Sequence, residues 1–198
     1  MESLKYVKNF IKDKDIASIA PSSSFSVKKL CKKIDFEKKN VIVEYGPGNG
    51  VFTYPILEKM TPDSKLIAIE KNGNFVKYLN KNKDPRLIVV QDDAQKVKHI
   101  LEKYGEEKAD YVLSGIPLSF FGSKDREKLM RETYNCLRTE GKFLVYQFTR
   151  KSEEYLERQF DYVKRDFEIL NIPPLSIFEA VKYENSNEKS IDTVVENT

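Results

Sequence analysis

The sequence contains no tryptophan, one histidine and two cysteines among its 198 residues. The histidine, His99, lies off the apolar stripe of its predicted helix, so we expect a solvated side chain rather than a metal ligand or a general base. Cys31 and Cys136 lie far apart and have neither metal-binding nor redox spacing, which indicates two reduced thiols. The sequence therefore predicts no metal site.

Long apolar runs are missing as well. No run approaches the roughly 20 residues that a transmembrane helix needs. Lysines interrupt the N-terminus throughout, which is not typical of a signal peptide. The length suits one domain with a sizeable core. We therefore expect a cytoplasmic protein, and a monomer rather than an oligomer.

Net positive charge is absent from most of the chain. Residues 1–40 hold ten lysines and five acidic residues, a net charge of +5, whereas residues 41–198 carry a net charge of −2. This asymmetry indicates that the N-terminal extension has an anionic partner.

Residues 2–12 are predicted to form an amphipathic helix, with Lys5, Lys8 and Lys12 on the face opposite five apolar side chains. A basic helix of this kind can lie in a membrane interface. It can equally dock on the domain as a lid, and the residue pattern leaves both interpretations open.

Three consecutive serines, Ser22, Ser23 and Ser24, precede a predicted helix from about Phe25 to Lys33. Serine is a preferred N-cap residue. Exposed N–H groups and hydroxyls at a helix start could also hold a phosphate. Plain capping and phosphate binding both remain open for these serines.

The rest of the chain alternates between strand and helix patterns, which predicts a parallel, doubly wound sheet. A final antiparallel hairpin would complete a seven-stranded α/β sheet. The predicted strands are 41–45, 65–70, 86–91, 109–113 and 142–149, then one near 167–170 and one at 176–183. The predicted helices are 50–60, 72–82, 94–104, 123–137 and 152–164. The predicted divisions are an N-terminal extension (1–40), a catalytic domain (41–184) and a polar tail (185–198).

Glycine is sparse, but three of the eight glycines stand at alternate positions: Gly46, Gly48 and Gly50. They follow an apolar run at 41–43 and Glu44, and a helical pattern follows them, which predicts a strand, a tight turn and a helix start. Glycine there permits positive φ and lets the backbone approach a ligand. In an open α/β sheet, ligands lie at the carboxyl end of such a strand.

The spacing of nearby acidic residues narrows the choice of ligand. Val51 stands where a dinucleotide-binding G-x-G-x-x-G pattern needs its third glycine, and the Gly-Lys-Ser/Thr of a triphosphate loop is absent. Glu70 ends the second strand 20 residues after Gly50, where a carboxylate can accept hydrogen bonds from a ribose diol. The third strand ends in Asp92 and Asp93, which offer a carboxylate to an adenine amino group. The pattern predicts a nucleoside ligand without a phosphate cluster.

The segment from Glu44 to Gly50, with Glu70 and Asp93, resembles the three cofactor motifs of class I S-adenosylmethionine-dependent methyltransferases. The resemblance implies a Rossmann-like, seven-stranded, mostly parallel sheet with helices on both faces, preceded by an N-terminal helical extension. It also implies S-adenosyl-L-methionine as the cofactor. The cofactor-binding residues that it implies are Glu44, Tyr45, Gly46, Gly48, Gly50, Glu70, Asp92, Asp93, Ala94 and Ser114.

Four segments, 19–24, 46–53, 114–119 and 147–149, are similar to the bacterial phospholipid N-methyltransferases, which methylate the amine of phosphatidylethanolamine at the membrane surface. This resemblance implies a phospholipid substrate and peripheral association with an anionic membrane at its inner face. The residues expected to contact the membrane are Lys5, Lys8 and Lys12. Those expected to bind the substrate are Ser22, Ser23, Ser24, Tyr146 and Arg150, with Gln147 as a further possibility and core packing as the alternative for Tyr146.

The fourth strand ends in Ser114, Gly115, Ile116 and Pro117, the residues expected to serve the methyl transfer. In adenine and cytosine N-methyltransferases this place carries Asn or Asp, then Pro, then an aromatic residue. Here Ser114 replaces the Asn and Leu118 replaces the aromatic residue. The exchange weakens the nucleobase interpretation and leaves backbone carbonyls near Gly115 and Ile116 to orient an aliphatic amine, although a plain turn is the alternative.

The sequence thus predicts direct methyl transfer to an amine that arrives neutral, with no evident general base among the side chains. Phe120, Phe121 or Tyr146 could tolerate the cationic product. Three rival interpretations remain open: a ribosomal RNA adenine N6-dimethyltransferase-like enzyme, a small-molecule amine methyltransferase whose N-terminal helix is only a lid, and a non-enzymatic cofactor-binding subunit. The predicted partners do not include nucleic acid.

Overall fold

A computed structural model describes residues 21–147, 152–168 and 175–183. Their strands form one seven-stranded sheet in the order β3-β2-β1-β4-β5-β7-β6. Strands β1 to β5 are parallel, and β7 runs antiparallel to both β5 and β6. The predicted sheet and its closing antiparallel hairpin are therefore confirmed. The strands are β1 Val41–Tyr45, β2 Lys65–Glu70, β3 Leu87–Gln91, β4 Ala109–Ser114, β5 Leu137–Gln147, β6 Tyr162–Glu168 and β7 Leu175–Val181.

Helices cover both faces of the sheet. They are α1 Pro21–Cys31, α2 Thr53–Lys59, α3 Gly73–Leu79, α4 Val97–Lys103, α5 Ser123–Cys136 and α6 Ser152–Gln159. Short 3-10 turns at Ala94–Lys96 and Leu118–Phe120 connect β3 to α4 and β4 to α5. No helix in the described ranges is long and apolar enough to cross a membrane.

The apolar run of β1 is explained by burial on both faces. Successive strand residues point to opposite faces. Val43 and Tyr45 pack in a core cluster with α4, α5 and α6, whereas Ile42 packs in a second cluster with α1 and α2. Every residue of β1 is buried. A central parallel strand of this kind has no solvated side, so Val41, Ile42 and Val43 form an unbroken apolar run rather than an alternating pattern.

Ion pairs attach the segment after α1 to the C-terminal hairpin. The ammonium of Lys33 contacts the carboxylates of Asp166 on β6 and Glu179 on β7. Glu179 also pairs with Lys142 of β5 at 2.7 Å. These contacts join the beginning and the end of the described chain on the face that carries α1 and α2.

Several predicted boundaries need correction. The predicted helix 152–164 is too long, because α6 ends at Gln159 and residues 162–164 pair with β7 in β6. Strand β5 begins at Leu137 rather than at 142, with Glu140 at a φ of 62° where the strand is irregular. Helix α1 begins at Pro21, so the three serines lie in its first turn instead of before it. Proline is well tolerated there because the first N–H groups of a helix have no intrahelical partner.

Candidate active site

The order of the sheet places the site. Strands β1 and β4 are neighbours although β2 and β3 lie between them in sequence, so the direction of winding reverses between these two strands. Crevices in open α/β sheets form at the carboxyl ends of strands at such a reversal. The glycine turn follows β1 there, and the loop 114–118 follows β4.

All three glycines of the turn adopt left-handed backbone conformations, with φ of 64° at Gly46, 58° at Gly48 and 84° at Gly50. A Cβ on Gly46 would lie 2.8 Å from the side chain of Ile116, and one on Gly50 would lie 2.6 Å from the ring of Tyr54. A Cβ on Gly48 would meet no atom within 4 Å. The turn is therefore packed on both sides of Gly48 and open at Gly48 itself, which leaves room for a ligand against the backbone.

Glu70 links this turn to the end of β2. Its carboxylate accepts hydrogen bonds from the N–H of Gly48 at 3.1 Å and from the N–H of Asn72, the N-cap of α3, at 2.8 Å. Each carboxylate oxygen can accept a further hydrogen bond. The predicted ribose acid therefore lies beside the open space at Gly48, as the hypothesis of a nucleoside ligand requires.

Glu44 is the most unusual side chain of the site. It is fully buried, and its Oε2 accepts a hydrogen bond of 2.6 Å from the hydroxyl of Thr53. Its Oε1 is buried without a hydrogen-bond partner in the described part of the chain. Burial, with a smaller contribution from the charge of Glu70, raises the pKa of Glu44 to about 7, although the Thr53 hydrogen bond opposes the rise. A buried carboxylate oxygen without a partner suits a cationic group such as an ammonium.

The acids after β3 already have protein partners. Asp93 caps the 3-10 turn through the N–H of Gln95 at 2.9 Å, and it pairs with Lys71 at 2.7 Å. Burial acts to raise the pKa of Asp93, but these two contacts hold it below its usual value. Asp92 pairs with Lys96 at 2.7 Å, which lowers its pKa. Binding of adenine by either carboxylate stays a prediction.

Two further predicted cofactor residues, Tyr45 and Ala94, have buried side chains. The side chain of Tyr45 lies in the core, where its hydroxyl is 3.2 Å from that of Thr133 and its ring contacts Phe143. Only the backbone of Tyr45 is at the crevice. Ala94 is buried at the start of the 3-10 turn.

The loop after β4 begins with a buried residue. Ser114 is fully buried, and its hydroxyl accepts a hydrogen bond of 3.3 Å from the N–H of Ile116. Gly115, Ile116 and Pro117 are partly exposed. Leu118 is fully buried in the core cluster that contains α5. Position 118 therefore faces the protein interior and does not present a side chain to an acceptor.

The aromatic side chain beside this loop comes from β5. A Cβ on Gly115 would lie 2.5 to 2.7 Å from the ring and hydroxyl of Tyr146, so the two residues are in close contact. The ring of Phe52 stacks obliquely on Tyr146, with centroids 4.0 Å apart. Burial, followed by the charges of Glu44 and Glu70, raises the pKa of Tyr146 well above its usual value, so the phenol stays neutral. The structure thus brings Tyr146 next to the predicted acceptor loop.

Gln147 contacts the loop directly, and Ser152 contacts Gln147. The side-chain amide of Gln147 donates a hydrogen bond of 3.0 Å to the carbonyl of Ile116, and the hydroxyl of Ser152 donates to Gln147 Oε1. Thr53 and Ser152 were not expected at the site. Each is the first residue of a helix: Thr53 follows the glycine turn after β1, and Ser152 follows β5. A hydroxyl residue at a helix start that follows a strand is a local signal for a position near the carboxyl edge of the sheet.

The remaining predicted residues fall partly outside the structure's description. Lys5, Lys8, Lys12 and Arg150 lie outside the described residues, and so do the side chains of Ser22, Ser23 and Phe120. Ser24 lies exposed on α1. Helix α1 itself packs in the same cluster as Phe52, with Tyr146 against that cluster.

Comparison with known proteins gives matches to methyltransferases. Residues 4–123 match the family model "Ribosomal RNA adenine dimethylase". The ornithine lipid N-methyltransferase of Singulisphaera acidiphila is 31% identical over 166 residues, which cover 82% of this chain and 86% of that protein. The ribosomal RNA small subunit methyltransferase A of Wigglesworthia glossinidia brevipalpis is 30% identical over 151 residues, 75% of this chain. The chain spans only 50% of that second relative.

Solved structures share the fold at low identity. The 1,6-didemethyltoxoflavin-N1-methyltransferase of Burkholderia thailandensis, with bound S-adenosylhomocysteine, superposes with a TM-score of 0.69 at 13% identity, covering 92% of this chain and 87% of that one. The 16S rRNA N2 G1207 methyltransferase of T. thermophilus, in complex with AdoMet and guanosine, gives 0.63 at 18% identity, covering 83% of this chain and 44% of that one.

Proposed function

The chain belongs to the ribosomal RNA adenine dimethylase family of S-adenosylmethionine-dependent methyltransferases, and within this family we propose that its methyl acceptor is the amine of a lipid headgroup. Phosphatidylethanolamine is the acceptor that we favour. The proposal places the enzyme at the surface of an anionic membrane, where Lys5, Lys8 and Lys12 would contact the lipid.

The contact between Gly115 and Tyr146 carries this proposal. An enzyme that acts on a nucleobase has to hydrogen-bond the edge of the base and to stack on its face. Here the loop after β4 offers no side chain at Gly115, since Tyr146 occupies the space that such a side chain would need. The side chain of Leu118 is buried and unavailable for stacking. Apart from the hydroxyls of Ser114 and Tyr146, the polar groups of this loop are backbone groups, which suit a small aliphatic amine.

Similarity to a lipid enzyme supports the same choice. The ornithine lipid N-methyltransferase matches this chain over 82% of its length. Its name describes an amine-containing lipid as the substrate of that protein. We extend only the chemical class, the amine of a lipid headgroup, to this chain.

The residues at the crevice fit S-adenosylmethionine. Glu70 would accept hydrogen bonds from the ribose diol, the backbone at Gly48 has the open space for a ligand, and the unpartnered Oε1 of Glu44 would receive the ammonium. When bound, the cofactor supplies a methyl group on a sulfonium that is already activated. The protein therefore contributes mainly by positioning the reactants.

The acceptor amine has to reach this site neutral, because an ammonium has no lone pair. The buried ring of Phe52 stacks on the partly buried ring of Tyr146, so an amine beside them would be partly desolvated, and a partly desolvated site lowers the pKa of an amine. The carbonyl of Ile116 can accept a hydrogen bond from the amine and so orient its lone pair. The two aromatic rings can stabilise the positive charge that develops on nitrogen.

The rival acceptor is adenine in ribosomal RNA, which the name of the family model favours. Incubation with methyl-labelled S-adenosylmethionine distinguishes the lipid acceptor from the RNA acceptor. Separate reactions contain phosphatidylethanolamine vesicles, ornithine lipid vesicles and small-subunit ribosomal RNA. We expect label in the chloroform-extractable lipid. Label in RNA together with unlabelled lipid would reverse the proposal.

A further inference from the structure

The last two residues of β5 contact the loop after β4 from opposite faces of the sheet. Tyr146 packs on Gly115 from the face that carries α1 and α2. Gln147 reaches the carbonyl of Ile116 from the other face, on which α6 packs. Neighbouring strand residues alternate in direction, so the end of one strand can grip a loop on both sides.

The amide of Gln147 is itself held in one orientation. Its oxygen accepts the hydrogen bond from Ser152, the first residue of α6, and its NH₂ group therefore faces Ile116. Gln147 is 4% exposed and Ser152 is 1% exposed, so neither group can exchange its partner for water. Leaving such a buried group unpaired is costly. The two hydrogen bonds, from Ser152 to Gln147 and from Gln147 to Ile116, therefore form a fixed arrangement.

We propose that Gln147 is a positioning residue for methyl transfer, which acts by fixing the direction of the Ile116 carbonyl, and that Ser152 acts only through Gln147. The inference rests on the proposed function, because it concerns the same acceptor site. A carbonyl oxygen has two acceptor positions. Gln147 occupies one of them, which leaves the other for the N–H of the acceptor amine and sets where that N–H can point.

The test uses Gln147→Leu, Ser152→Ala and the double variant, with Gln159→Leu as the matched control. Gln159 lies at the far end of α6, so its variant makes the same exchange away from the loop. The kinetic parameters kcat and KM are measured for whichever lipid or RNA the wild type methylates, and cofactor affinity is measured by calorimetry. We expect Gln147→Leu to lower kcat/KM for the acceptor about 10- to 100-fold, as a misplaced contact does, with cofactor affinity retained.

Ser152→Ala should show a smaller loss, and the double variant should be no worse than Gln147→Leu alone, since coupled residues are not additive. Hydrogen exchange of a peptide that covers residues 114–121 should become faster in Gln147→Leu and stay unchanged in Gln159→Leu. Unchanged exchange in Gln147→Leu, or an unchanged kcat/KM, would overturn the proposal. So would additive losses from the two substitutions, or a fall in cofactor affinity equal to the fall in kcat/KM.

These outcomes separate the two claims. Methyl transfer to RNA alone would contradict the proposed lipid acceptor, yet the effect of Gln147→Leu on that reaction would still decide whether the residue positions the loop. Methyl transfer to lipid with no effect of Gln147→Leu would keep the proposed function and refute the positioning role.

Discussion

The two halves of the site differ in how their polar groups are used. In the cofactor half, at the ends of β1 and β2, the turn is open at Gly48 and one carboxylate oxygen of Glu44 has no partner in the described part of the chain. In the acceptor half, at the ends of β4 and β5, protein groups already bind one another: Ser114 with Ile116, and Ile116 with Gln147. The first half has space and unused bonding capacity for a ligand, whereas the second has a shape that its own contacts maintain.

This difference leads us to expect that acceptor specificity resides in the second half. A half built from left-handed glycines and acids at fixed strand ends can serve any member of a cofactor-sharing family. A half whose loop is held by Tyr146 and Gln147 depends on residues more than 30 positions away, and a change in any one of them alters the acceptor site. We therefore expect substitutions in the two halves to affect different measurements.

The largest effect is expected from Gly48→Val. Its backbone has a φ of 58°, which is strained for a β-branched residue, and the new side chain would fill the space left for the ligand. Cofactor affinity by calorimetry should fall more than about 150-fold, beyond the range of losing hydrogen bonds alone. Gly122→Val is the matched control, because a Cβ there also meets nothing within 4 Å but φ is −59°. Equal affinities for the two variants would refute this account of the turn.

Next in size is Glu70→Ala. The change removes the acceptor of the Gly48 and Asn72 N–H groups as well as the expected ribose contact. Hydrogen bonds to a charged acceptor contribute about 1.5–3 kcal/mol, so cofactor affinity should fall about 10- to 150-fold. Circular dichroism checks that the fold is retained. Wild-type affinity in a folded Glu70→Ala variant would remove Glu70 from the cofactor site.

These two elements were visible in the sequence, because they depend on local spacing. The three glycines and Glu70 stand at fixed intervals after buried strands, and the bounds of β1 and β2 matched their predictions. For the acceptor half, the sequence predicted candidate residues but not the contacts between them. Gln147 and Ile116 are 31 residues apart, and nothing local shows that their groups meet. The false helix at 162–164 has the same origin, since pairing with β7 overrides the local pattern.

A third prediction separates the halves. Gly115→Ala places a Cβ about 2.5 Å from the ring of Tyr146, so the loop or the ring has to move. We expect kcat/KM for the acceptor to fall about 10- to 100-fold, the scale of a displaced reacting group. Cofactor affinity should stay close to that of the wild type. A fall in cofactor affinity as large as the fall in kcat/KM would show that the two halves are not independent.

The smallest effect concerns pH and Glu44. Its pKa is raised to about 7, so the folded protein holds this proton at pH values where an exposed glutamate has lost it. If the ionised carboxylate receives the cofactor's ammonium, cofactor affinity should increase with pH, by up to about tenfold between about pH 6 and pH 8. Glu44→Gln should remove that dependence. Affinity that decreases over this range, or a dependence that survives in Glu44→Gln, would contradict the role of Glu44.

The central claim is that the cofactor half is joined to an acceptor half suited to an aliphatic lipid amine. Its most direct test is a competition in one tube, with phosphatidylethanolamine vesicles and small-subunit ribosomal RNA present together with methyl-labelled S-adenosylmethionine. Phase separation followed by mass spectrometry of the headgroup identifies the labelled product. The account predicts N-methylated lipid in the chloroform phase and unlabelled RNA, whereas methylated adenine with unmodified lipid would contradict it.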